Sequence, residues 1–177
     1  MPREPAATAR GEPGRSGEAS AGPPPLRPFG LVLHRDGSWT HRGRPIENRR
    51  IREKFDRSVR YLPEERKYVV QVGRFRGEIE VEEAGFFVRD VDLARGEVAL
   101  SDGSRERFDL VSLRVSGLDG AYLCTVKREL APGGLPARFT HAAQAELLSA
   151  VDETAEGPVI RLEGQWRPMP PLLREGS

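Results

Sequence analysis

Cysteine is nearly absent from this chain. One, Cys124, stands among 177 residues, so neither an internal disulfide nor a thiolate metal cluster is open to it. That suits a reducing compartment. Histidine is as scarce, with only His34, His41 and His141. Long apolar runs are missing. None approaches the roughly 20 residues a bilayer-spanning helix needs, and the N-terminal stretch holds no apolar segment of signal-peptide length. A soluble, cytoplasmic protein with no membrane partner is the expectation. Charge of one sign is missing too: 28 Lys and Arg meet 27 Asp and Glu, for a net charge of +1. Whole-chain electrostatics therefore give no pull toward nucleic acid or a membrane surface. There is no G-x-x-x-x-G-K-[ST] loop, no G-x-G-x-x-G after a strand, no H-E-x-x-H, no G-x-S-x-G and no C-x-x-C. The commonest nucleotide, zinc-protease and serine-hydrolase chemistries fall away, and no cofactor is implied.

What is present begins late. Residues 1–28 are mostly Pro, Gly, Ala, Arg and Glu with a single Leu. Such a segment lacks the apolar surface to offset the entropy of ordering and reads as a disordered tail. The segment FGLVLHRDGSWTHRG opens the folded part at Phe29. Asp36-Gly37 inside it predicts a two-residue type I′ hairpin, in which both central residues need positive φ. That register sets His34 opposite Trp39 and Val32 opposite His41, all four on one face, with Leu31, Leu33 and Thr40 on the other. Gly43 then ends the strand, and Pro45 leads into a helix.

Ile51, Phe55 and Val59 recur at four-residue steps among charges, predicting an amphipathic helix from about Glu47 to Arg60. Strands follow in KYVVQV, in the alternating Glu78, Ile79, Glu80, Val81 and Glu82, in FFVRDVDL, and in EVALSDGSRERFDL around Asp102-Gly103. SLRV and AYLCTVK are further strands, and PGGLP at 132–136 reads as a loop. Thr140 is suited to cap a second helix with Ala143, Leu147, Leu148 and Val151 on its apolar face. VIRL and QWRPM close the chain as short strands. Strands without regular β-α alternation predict an α+β fold, mostly antiparallel, with one helix in each of two lobes. The globular domain is placed at 29–171, its lobes at about 29–92 and 93–171, with a frayed end at 172–177. Each half carries an Asp-Gly turn, a strand beginning at a tyrosine and a helix, which suggests an internal duplication.

Candidate chemistry is thin. His34 and His41, even on one hairpin face, lack further metal ligands nearby, so no metal site is expected. Glu78, Glu80 and Glu82 fit the solvent face of a half-buried strand. Cys124, between apolar neighbours, fits a buried inert thiol. The charges are unevenly spread: residues 27–60 hold ten Arg or Lys against four acids, and residues 78–109 hold ten acids against four Arg. The basic helix packing near the acidic sheet, each set serving the other, is the preferred explanation. An anion-binding surface is the alternative.

DGSWTHRGRPI, the basic-starting helix, the tyrosine-led strand and IEVEEAGF together resemble the bacterial family known as domain of unknown function 1285. Its first motif, D-G-x-W-x-H-x-G-x-P-I, falls on Asp36, Gly37, Trp39, His41, Gly43, Pro45 and Ile46. Its second, I-x-V-E-D-A-P-F, is met by Ile79, Val81, Glu82, Ala84 and Phe86, with Glu83 for the Asp and Gly85 for the Pro. Where the family has T-P-V-E-K, this chain has Val72, Gly73, Arg74, Phe75 and Arg76. The resemblance implies an α+β protein of two similar β-rich lobes, and a part in signalling or small-ligand sensing.

Three functions are therefore weighed. The preferred one is a non-catalytic small-ligand-sensing or interaction module, its partner a small molecule or a protein. Its site lies at the hairpin and helix mouth: Trp39 as a stacking wall, His41 as a polar contact, Arg44 and Arg50 as anion holders. The second is an enzyme acting on a small phosphorylated or acidic metabolite, with His41 as acid-base group. The third, least favoured, is nucleic-acid binding through Arg42, Arg44, Arg50, Lys54 and Arg57.

Overall fold

The computed structural model describes residues 26–172, apart from the side chain of Phe75. The expected tail falls almost wholly outside these residues, as does the expected frayed end. The first strand, β1 (Arg27–Leu33), starts at Arg27, ahead of Phe29.

The hairpin at Asp36-Gly37 is present with a longer loop. His34 N–H donates to Ser38 O at 2.9 Å and Gly37 N–H to His34 O at 2.9 Å, with Gly37 at φ +80°. This is a turn closed by a left-handed glycine, and it carries one more residue than the type I′ form. The extra residue shifts the register by one. β2 (Trp39–His41) sets Trp39 opposite Leu33, Thr40 opposite Val32 and His41 opposite Leu31. Trp39 and His41 thus share the face of Leu31 and Leu33, whereas His34 bonds Thr40 Oγ1 at 3.0 Å from the other face. The two-residue primed turn comes next, at Arg42 (φ 51°) and Gly43 (φ 77°). Gly43 therefore turns the chain into β3 (Arg44–Pro45), and Pro45 lies in that strand instead of leading the helix.

The helix α1 (Arg49–Ser58) is shorter than predicted because Asn48 caps it, accepting from Arg50 N–H and Ile51 N–H. Val59 leaves it to begin β4 (Val59–Leu62). Then come β5 (Lys67–Val72), β6 (Phe75–Val81), β7 (Phe86–Asp92), β8 (Glu97–Leu100) and β9 (Arg105–Arg107). The turn at Asp102-Gly103 is built like the first one, with Leu100 N–H on Ser104 O and Gly103 N–H on Leu100 O. A short 3-10 turn at Leu110–Ser112 precedes β10 (Arg114–Val115) and β11 (Tyr122–Val126). β12 (Leu135–Phe139) corrects the sequence reading, which ended this region in a loop. Pro136, opposite Thr125, sits inside a strand. Thr140 caps α2 (His141–Ser149), which buries Ala143 and Leu147 but leaves Leu148 exposed. Val151 opens β13 (Val151–Thr154), which forms a three-stranded meander with β14 (Gly157–Leu162) and β15 (Gln165–Pro168).

The fold is α+β in two lobes. One six-stranded sheet has the order β3-β2-β1-β6-β5-β4, with β1 and β6 parallel at its centre. The other reads β9-β8-β7-β12-β11-β10, with β7 and β12 parallel at its centre. Every other neighbouring pair is antiparallel. The two sheets therefore share one topology: three strands stepping outward from the centre, then three stepping back. Even the bond leaving each central pair is repeated, Glu82 N–H on Leu33 O and Thr140 N–H on Val88 O, both at 3.0 Å. The tyrosine-led strands β5 and β11 hold corresponding places. The Asp-Gly turns do not, since one joins β1 to β2 and the other β8 to β9. The change of sheet falls between Val81 and Phe86, so β7 belongs to the second lobe, not the first.

One contiguous apolar cluster runs through both lobes, with Leu31, Leu33 and Trp39 from the first, and Phe86, Val88, Phe139 and Leu147 from the second. Gly85, at the crossing, lies under the Tyr68 ring, where a Cβ would come within 2.2 Å of a ring carbon. Glycine at this place leaves the ring its room.

Candidate functional site

Helix α1 packs against β5 and stands over the face of the first sheet that carries Leu31, Trp39 and His41. Between helix and sheet runs a groove of about 610 Å³. Phe29 and Leu31 of β1, Val70 and Val72 of β5, Ile46, and Ile51 and Phe55 of α1 make its apolar walls. The Phe29 ring lies on Gly77 of β6, where any Cβ would meet the ring at 2.2 Å. His41, Arg42 and Lys54 complete the lining, and all three are exposed. Ile51, predicted as a core position, is 43% exposed and belongs to the groove's rim.

Behind the groove lies a polar knot. Trp39 is 1% exposed, with its ring 5.4 Å from that of Phe55. Its Nε1–H donates to Asp56 Oδ1 at 2.8 Å, and Asp56 Oδ2 accepts from Arg89 of β7 at 2.5 Å. Asp56 is the buried residue of α1. Burial pushes its carboxyl above the usual range, opposed by the Trp39 and Arg89 hydrogen bonds and the Arg89 charge. One carboxylate thus joins hairpin, helix and second lobe.

Of the four residues the sequence nominates, His41 alone lines the groove. Trp39 presents no open face for stacking, because its ring is enclosed by the core and by Phe55. Arg44 is paired opposite His41 in the sheet and exposed, and Arg50 is exposed on the first turn of α1. His41 has no hydrogen bond to a carboxylate among the described residues. Phe29, Ile51 and Asp56 were expected in no site, and Lys54 only in the nucleic-acid reading. Asp56 carried no signal in the sequence, since an acid among arginines reads as surface.

The charges pair only in part as the sequence suggested. Arg49 pairs with Glu53 on its own helix at 2.7 Å, and Arg89 reaches Asp56. In the acidic strands Glu82 is served by Arg35 of the basic stretch at 3.4 Å, but Glu78 by Lys67 at 2.8 Å and Asp90 by Arg105 at 3.9 Å. Among the described residues Arg42, Arg44, Arg50, Lys54 and Arg57 form no ion pair.

Two further clusters are structural. Arg138, 4% exposed, is held by Glu83 and Asp119, and Glu83 also accepts from the Ser116 hydroxyl. Burial opposes the Arg138 charge, yet the two carboxylates hold its pKa above the ordinary value. Lys127 reaches Asp102 and Glu106, both at 2.9 Å, over the Phe86 ring. Cys124 is buried, and burial pushes its thiol up to about 12. No group of three His, Cys, Asp or Glu that could hold a metal ion occurs among the described residues, and no helix among them is long and apolar enough to cross a membrane.

No family model and no curated protein matches the sequence. The fold does have counterparts among solved structures. A DUF1285 family protein from Silicibacter pomeroyi DSS-3 superposes with a TM-score of 0.54 at 18% identity, covering 85% of this chain and 88% of that one. A DUF1285 family protein from Shewanella baltica OS155 gives 0.47 at 16% identity, over 69% of this chain and 91% of that one. At such identities the likeness speaks for the fold. The likeness to the first of these bears out the resemblance in fold, and with it the two-lobed α+β architecture.

Proposed function

We propose that this protein, folded like the DUF1285 structures, is a non-catalytic small-ligand-sensing or interaction module, with a part in signalling. Its site is the groove between α1 and the first sheet. The observation that supports this is the join between groove and lobe junction: Phe55 lines the groove, and the next residue, Asp56, holds both Trp39 and Arg89. A ligand that shifts α1 acts on a buried carboxylate shared with the second lobe. Differential contact of this kind is what coupling between two places requires. The nominated contacts are revised accordingly, with His41 kept, Arg42 and Lys54 in place of Arg44 and Arg50, and Ile51 and Phe55 in place of Trp39.

The enzyme alternative, with His41 as acid-base group on an acidic metabolite, has less support. His41 faces an open groove and meets no carboxylate among the described residues. Nucleic-acid binding keeps one observation in its favour, the unpaired Arg42, Arg44, Arg50, Lys54 and Arg57. Against it stands the lack of an exposed aromatic beside them among the described residues, Trp39 being enclosed.

The experiment is a thermal-shift screen of soluble metabolites on the full chain and on Ile51→Glu. The substitution puts a charge at an exposed position of the rim. Stabilisation by one compound class, lost in Ile51→Glu, supports the reading. A screen without hits, or hits that Ile51→Glu leaves unchanged, overturns it.

A further inference from the structure

We propose that the groove takes a free amphipathic acid, a hydrocarbon body bearing one carboxylate. This rests on the groove being the ligand site and goes beyond it by naming the ligand's chemistry. Its walls are aliphatic and aromatic along their whole length, from Phe29 and Leu31 across Val70 to Ile51 and Phe55. Its volume, about 610 Å³, lies within the roughly 300–1,000 Å³ of small-molecule sites. The polar groups of its lining are cationic or imidazole, and all three are exposed: Lys54 from the helix, Arg42 from the primed turn, and His41 before it. Among the described residues no carboxylate lines this groove, whereas the neighbouring cavity at the hairpin is lined by Asp36, Glu47 and Glu82. Neither Lys54 nor Arg42 is satisfied by an ion pair there. The Arg42 backbone is fixed by its N–H donating to Gly30 O at 2.7 Å, and its side chain passes over Gly30, where a Cβ would stand 3.1 Å from its Cγ. A guanidinium and an ammonium in the lining of an apolar slot select for an anion on an apolar chain.

A free molecule fits better than a lipid in a bilayer. Leu31 and Val70 are buried, and Phe29, Ile46, Phe55 and Val72 are half-buried. Ile51 and Pro28 are the apolar lining residues that reach the surface. Walls so recessed accept an inserted chain and offer little to a flat membrane.

The test uses the full chain with sodium decanoate, sodium octanoate, 1-decanol, sodium acetate and phosphatidylglycerol vesicles, read by calorimetry and by amide shifts. Decanoate is expected to bind with shifts at 28–31, 41–55 and 70–72, and octanoate about tenfold more weakly for its two missing methylenes. Decanol is expected about fivefold weaker than decanoate for lack of the charge, with acetate silent. Lys54→Glu is expected to weaken decanoate about fivefold while leaving decanol unchanged. Equal binding of decanol and decanoate, or indifference to Lys54→Glu, overturns the acid and leaves the groove standing. So does failure of every amphiphile when another compound class still loses its effect in Ile51→Glu. Sedimentation with vesicles without decanoate binding overturns the free ligand in favour of a membrane surface. Amide shifts confined to other residues overturn both the acid and the groove.

Discussion

Trp39 and Asp56 are bonded across 2.8 Å, indole N–H to carboxylate, and the second carboxylate oxygen receives Arg89 from the other lobe. The tryptophan of the hairpin motif thus serves as a structural anchor. Its apolar body fills the core, and its one polar atom finds the buried acid of the helix.

Asp56→Ala should cost about 1–3 kcal/mol, because it strands the Trp39 N–H in the core. Asp56→Asn should cost less, since the amide oxygen keeps that bond and Arg89, 45% exposed in its side chain, turns to solvent. Urea denaturation of both variants checks the order. Equal losses would mean that the Arg89 pair, not the Trp39 bond, carries the effect.

Two carboxylates respond to pH with opposite signs. Burial raises Asp56 above its ordinary 3.8, so the folded state holds that proton more tightly than the unfolded one. Stability from this group is present below 3.8 and is lost as pH rises through the raised value. Burial works against Asp102 as well, yet the Ser104 hydroxyl and N–H and the Lys127 ammonium hold it below 3.8. Its contribution is present above that value and is lost as pH falls through the lowered one. Relative to wild type, Asp56→Asn should lose ground as the solution is acidified, whereas Asp102→Asn should gain. Denaturation midpoints followed from about pH 7 to about pH 3 give the comparison.

Gly85→Ala should destabilise by about 1–3 kcal/mol, as overpacking against a fixed ring does. The added methyl would stand 2.2 Å from the Tyr68 ring. In a Tyr68→Ala background the penalty should nearly vanish. An undiminished penalty in the double variant would place the strain in the backbone.

Much of the fold could be read from the chain because the period of two and the turn residues are local signals. Ile79 and Val81 alternating with glutamates gave β6, and Thr140 was read as the cap of α2. The misreadings came from facts that local pattern does not carry. Asp36-Gly37 suits both a two- and a three-residue loop, and the sheet decided the register that turned Trp39 inward. Pro136 read as a breaker, yet β12 is the central partner of β7. The groove was half legible. His41 was found through its motif, but Phe29 and Lys54 share a groove, and Asp56 reaches Trp39, only when α1 lies across the sheet, an arrangement of segments far apart in sequence. The repeated topology was sensed through the tyrosine-led strands and blurred by Asp-Gly turns that occupy different places.

The continuous core predicts how the chain unfolds. With Trp39, Phe86 and Phe139 in one cluster and Asp56 bridging the lobes, residues 29–171 should unfold as one unit. Fluorescence and circular dichroism should report a single shared midpoint. Two separate midpoints would mark the lobes as independent domains.

The most direct measurement is an amide-resolved titration of the full chain with whichever compound stabilises it in the thermal-shift screen. The expected result is a set of shifts at 28–31, 41–55 and 70–72 that extends to Arg89 in the second lobe, and that disappears in Ile51→Glu. Shifts that avoid these residues and persist in Ile51→Glu would contradict the assignment of the groove as the ligand site.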